Sequence, residues 1–177
     1  TVAVDRDGTV WFGTVDGGYT WTADAEKSGP GRIQEFNGLP VSTAVEAIIE
    51  DRAGNIWFGS GLISKRERAG HGVYRWDGDT LQGITEADGL ADNDVIDIFQ
   101  DDDGRLWFGT ASGGILRYDG PNFTIFTKSD GLLSDDVRAV IEDAHGRVWA
   151  STGGGVNVLN RAGLRRHTPL TKVSQAT

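Results

Sequence analysis

One seven-residue signature recurs four times in this chain, and it constrains the fold more than anything else in it. It reads Asp5-Arg-Asp-Gly-Thr-Val-Trp11, Asp51-Arg-Ala-Gly-Asn-Ile-Trp57, Asp101-Asp-Asp-Gly-Arg-Leu-Trp107 and Asp143-Ala-His-Gly-Arg-Val-Trp149. The tryptophans stand 46, 50 and 42 residues apart. A spacing of about 40–50 residues belongs to propeller blades or to helical repeats. The flanking residues decide between them. A second landmark follows each tryptophan (Gly18-Tyr, Gly72-Val, Gly114-Ile and Gly155-Val), and Gly38-Leu39, Gly89-Leu90 and Gly131-Leu132 precede three of them. Glycine accounts for 26 of 177 residues, which implies frequent tight turns between short strands.

Each unit offers four strand segments, termed A to D. In the second unit they are residues 45–50, 55–59, 72–76 and 81–85. Val45, Ala47 and Ile49 alternate with Glu46 and Glu50, the period of a strand with one buried face, although Ile48 interrupts it. Asp-x-x-Gly between A and B, and Asp-Gly between C and D, read as hairpin turns. Four antiparallel strands per unit, four units and no helical segment predict an all-β chain: a β-propeller of four blades. The expected blades are residues 1–36, 37–86, 87–128 and 129–168 of a single domain, with a tail at 169–177.

The joined pattern, Gly-Leu followed by Val-x-x-Ile-x-x-Asp-x-x-Gly-x-(Val/Ile/Leu)-Trp-Phe-Gly-Thr and then Tyr-Asp-Gly, resembles the two-component regulator propeller repeat. The likeness covers residues 1–168. It implies an extracytoplasmic, periplasmic sensor region of the kind carried by bacterial hybrid histidine kinases, a module that binds a ligand or partner. Seven blades per ring is that family's usual number, so four is a departure. The first unit contains only the second half of strand A, and residues 168–177 have the length of a D-to-A connection. The chain is therefore expected to be a piece of a longer array, a ring closed on itself, or half of an eight-blade homodimer. An open arc would expose two apolar blade faces.

Composition excludes several classes. The net charge of −9 disfavours nucleic acid and anionic membrane surfaces. The absence of cysteine rules out disulfides and thiolate metal sites. No apolar run reaches the ~20 residues of a membrane span. His71, His145 and His167 lack metal-ligand spacing, and no nucleophile elbow or acid–base set stands out. Asp5/Asp7 and Asp101/Asp102/Asp103 suggest a calcium loop at first sight. They supply too few oxygens, and Ala53 and His145 break the pattern, so the turn reading prevails. No metal or cofactor is expected.

Trp11, Trp57, Trp107 and Trp149 recur in phase and are expected to pack between blades. The second unit departs from the others between B and C, where residues 61–71 insert Lys65, Arg66, Arg68 and His71. B–C loops and D–A connections leave a blade on the same side. That side should bring the basic insertion near Asp92, Asn93 and Asp135, a candidate contact for an oligosaccharide, another small molecule or a partner protein. A solvated surface loop is the alternative. A rigid assembly subunit is the second functional reading, and a propeller lyase or hydrolase the third.

Overall fold

The computed structural model describes residues 1–23, 31–40, 43–61, 71–120 and 122–160. Among them lie four antiparallel sheets in chain order. The first blade is β1 (Val2–Val4), β2 (Val10–Thr14), β3 (Gly17–Thr22) and β4 (Arg32–Phe36). The second is β5 (Val45–Glu50), β6 (Ile56–Ser60), β7 (Val73–Trp76) and β8 (Leu81–Ile84). The third is β9 (Val95–Gln100), β10 (Leu106–Thr110), β11 (Ile115–Tyr118) and β12 (Phe123–Phe126). The fourth is β13 (Val137–Glu142), β14 (Arg147–Thr152) and β15 (Gly155–Asn160). The strand expected at 164–167 lies outside the described residues. The only helical pieces among the described residues are two 3₁₀ turns, Glu86–Asp88 and Lys128–Asp130. The fold is an all-β propeller arrangement, with β1, β5, β9 and β13 side by side at its inner edge.

The recurrent aspartate and tryptophan are joined by a hydrogen bond. Asp5, Asp51, Asp101 and Asp143 each accept from the indole N–H six residues on, at 2.8, 2.8, 2.8 and 2.7 Å. The other carboxylate oxygen closes the turn. Asp51 Oδ1 accepts from the backbone N–H of Ala53 at 2.9 Å and of Asn55 at 2.8 Å. Asp143 Oδ1 accepts likewise from His145 and Arg147. The glycine of each signature has positive φ, 84°, 91°, 84° and 73° at Gly8, Gly54, Gly104 and Gly146, a conformation costly for other residues. These carboxylates are the hubs of their turns. Burial by itself would push the Asp51 carboxyl up, but the Trp57, Asn55 and Ala53 donors outweigh it and hold it below its ordinary value.

The core lies between blades. Three clusters fill the three junctions, centred on Trp11 with Ile48 and Phe58, on Trp57 with Ile98 and Phe108, and on Trp107 with Val140 and Val148. The second and third blades thus present one apolar face to the preceding blade and another to the following one. Polar latches reinforce the junctions. The backbone N–H of Arg6 donates to Glu50 Oε2 at 2.6 Å, that of Arg52 to Gln100 Oε1 at 2.8 Å and that of Asp102 to Glu142 Oε2 at 2.8 Å.

Candidate functional site

The B–C hairpins and D–A connections do share one side. Gly72, which opens into β7, donates its N–H to the Asn93 carbonyl of the next blade at 2.9 Å. Gly114 does the same to the Asp135 carbonyl at 2.9 Å. His71 is thereby brought next to Asn93, and its own N–H donates to Ser60 Oγ at 2.6 Å while its side chain is exposed. The predicted acceptors do not converge on open space. Asp92 is only 9 % exposed; its Oδ2 accepts from both the N–H and the hydroxyl of Ser112 at 2.7 Å. Asn93 Oδ1 accepts from Glu86 N–H at 2.9 Å, and Asp135 Oδ1 from Lys128 N–H at 2.7 Å. Asn93 and Asp135 are the same stitch in consecutive blades, tying a D–A connection to its 3₁₀ turn. Lys65, Arg66 and Arg68 lie outside the described residues.

On the opposite side, among the A–B and C–D turns, a cleft of about 390 Å³ opens between the second and third blades. Asn55, Trp57, Arg75, Gln100, Tyr118 and Asp119 are among its lining residues. Arg75 is the cross-strand neighbour of Trp57, and its guanidinium carbon sits 5.9 Å from the indole centroid. One terminal nitrogen donates to Asn55 Oδ1 at 3.1 Å, whereas Nε is buried and meets no acceptor within the protein. An unsatisfied buried donor of this kind is uncommon. Arg117 repeats the arrangement over Trp107, also at 5.9 Å and also with a buried, unmatched Nε. Sequence reasoning did not single out Arg75 as a site residue. The available signal was its recurrence in phase with Arg117, two residues before Asp77 and Asp119.

Three stretches, residues 38–61, 89–112 and 131–154, match the family model described as two component regulator propeller. These repeats belong to the two-component regulator propeller family. Each match runs from the Gly-Leu landmark through Trp-Phe-Gly or its equivalent, so it spans the D–A connection and strands A and B. Asp92, Asn93 and Asp135 fall inside the matched stretches, in keeping with their role as stitches of the propeller scaffold. His71, the basic insertion and Arg75 fall outside them.

Solved structures support the same architecture. The extracellular domain assigned to a hybrid two component system from B. thetaiotaomicron superposes with a TM-score of 0.74 at 23 % identity, covering 89 % of this chain and 21 % of that one. A second B. thetaiotaomicron extracellular domain, assigned to a one component system, gives 0.71 at 20 % identity over 96 % of this chain and 24 % of that one. The Staphylococcus aureus virginiamycin B lyase, solved as a catalytically inactive variant with quinupristin, gives 0.68 at 17 % identity over 97 % and 55 %. This propeller therefore spans between a fifth and a quarter of the two sensor domains' length. No curated protein matches the chain.

Proposed function

We propose that this chain is a non-catalytic recognition module of an extracytoplasmic sensor, and that it binds a small polar ligand in the cleft between the second and third blades. The observation that carries the reading is Arg75, which lines this cleft beside aromatic and amide side chains and whose Nε–H meets no protein acceptor. A hydroxyl or carboxylate oxygen of an oligosaccharide suits such a donor. The likeness to extracellular sensor domains supports the location, and no helix among the described residues is long and apolar enough to cross a membrane. The non-catalytic reading rests on the engagement of the signature carboxylates by their own turns. The enzymes among the similar folds share only architecture with this chain, and fold alone does not carry chemistry.

A thermal-shift screen with neutral and uronic-acid oligosaccharides tests the proposal. A ligand at a hundredfold excess over its Kd stabilises by about 2.7 kcal/mol, a rise of several degrees for a chain of this size. The shift should vanish in Arg75→Gln. A shift that survives that substitution would move the site elsewhere. The first alternative location is the basic insertion. It carries Lys65, Arg66 and Arg68 in an otherwise acidic chain. Substituting all three arginine and lysine residues by serine would then remove the shift.

A further inference from the structure

The three latches between blades are not chemically equal. In each, a backbone N–H is given to the last side chain of the next blade's first strand: Arg6 to Glu50, Arg52 to Gln100 and Asp102 to Glu142. The first two latches also carry a guanidinium across the junction. Arg6 Nη2 donates to the Asp51 carbonyl at 2.7 Å, and Arg6 Nε forms an ion pair with Glu50 Oε1. Arg52 repeats the first of these contacts, donating through Nη1 to the Asp102 carbonyl. It cannot repeat the second, because the third blade has neutral Gln100 where the second has Glu50. The Gln100 amide is used within its own blade, Nε2 donating to the Gly104 carbonyl at 2.9 Å. Arg52 Nη2 stands 3.7 Å from the Asp102 carboxylate, but these two side chains are 58 and 78 % exposed, and such a pair contributes little.

This junction is the one that holds the cleft, and Arg52, Gln100 and Arg75 are all among its lining residues. The two carboxylates of the lining are engaged. Asp51 accepts from Trp57, Asn55 and Ala53, and Asp119 lies 3.9 Å from the Arg117 guanidinium. Of the five N–H donors in each guanidinium, Arg52 gives one to the Asp102 carbonyl and Arg75 one to Asn55. We propose that the cleft selects a carboxylate-bearing ligand and that Arg52 sets this selectivity, taking from the ligand the carboxylate that Glu50 supplies to Arg6 one junction earlier. Arginine suits the task, since its planar fork matches a carboxylate in two parallel hydrogen bonds. This rests on the ligand-binding reading above and adds the ligand's charge to it.

Gln100→Glu supplies the missing carboxylate from within the protein. Glutamate already ends the first strand at the two neighbouring junctions, so it fits the latch. The probes are a glucuronyl disaccharide, the glucosyl disaccharide of the same linkage, and succinate. Each is titrated by calorimetry into the parent chain, Gln100→Glu, Arg52→Gln and Arg75→Gln, with circular dichroism confirming the fold. The acidic disaccharide should bind the parent at least tenfold more tightly than the neutral one. Gln100→Glu and Arg52→Gln should each remove that preference and leave the neutral disaccharide's affinity unchanged. Competition by succinate would assign recognition to the carboxylate alone, and its failure to compete would assign a share to the sugar; either result supports the proposal when Gln100→Glu weakens the acidic disaccharide. Equal affinity for the two disaccharides, or a preference that survives in Gln100→Glu, would overturn it while leaving the cleft as a binding site, provided Arg75→Gln removes binding. Binding of none of the probes, or binding indifferent to Arg75→Gln, would overturn both readings.

Discussion

Phe12 and Phe58 are the same residue in the same strand of consecutive blades, yet one is half-buried and the other is 0 % exposed. The same contrast separates Ile141, 58 % exposed, from Ile49 and Phe99, which pack into the junction clusters. Nothing in the local sequence differs enough to cause this. What differs is whether another blade lies against that face. The repeat therefore encodes an interface rather than a self-sufficient sheet, and stability accumulates at junctions, as in other repeat architectures.

The largest expected break in this comparison comes from truncating the paired phenylalanines. Phe58→Ala should cost about 3–5 kcal/mol in urea denaturation, the usual range for an aromatic removed from a packed core. Phe12→Ala should cost less than about 1 kcal/mol, because its face has little to lose. The next effect is at the hub. Asp51→Ala leaves the Trp57 and Asn55 donors buried without acceptors and should cost about 1–3 kcal/mol for those groups. Asp5→Ala, in a more exposed turn, should cost less. Gly59→Ala should cost about 1–3 kcal/mol through overpacking against Val95, while Ser151→Gly, at the matching position of the fourth blade, should leave the stability within about 1 kcal/mol of the parent.

The smallest effect concerns pH. Asp51 and Asp143 are held below the ordinary value of 3.8, so their contribution to stability is complete above that value and fades as pH falls towards their lowered ones. Asp97 has the opposite sign. Burial beside the fourth blade raises its pKa, against the Val140 and Ile98 backbone donors. The folded chain then binds that proton more tightly than the unfolded one, so the group's ionisation lowers stability as pH rises above 3.8 through its folded value. Asp97→Asn should thus stabilise the chain at pH 7 and change little at pH 3, read as the difference between two urea midpoints.

Much of the fold was legible in the sequence because it is written four times. The segment 45–50 coincides with β5, and the other three segments of that blade differ from β6, β7 and β8 only at their ends. The aspartate-to-tryptophan bond was visible as a fixed six-residue spacing, but spacing alone does not reveal that an indole N–H reaches over a turn. The candidate site was less legible. Asp92, Asn93 and Asp135 looked like a rim because acidic loop residues usually face water. Here, short-range donors such as Ser112 and Lys128 take them up first. Arg75 gave no motif, since its significance lies in a pairing across β6 and β7.

Native-state hydrogen exchange, resolved by residue, tests most directly whether junctions hold this protein together. The account predicts the slowest exchange in β6 and β10, whose residues are buried on both faces, and markedly faster exchange in β1 and β15 at the two ends. Equal protection of the hydrogen-bonded amides across all four blades would contradict it.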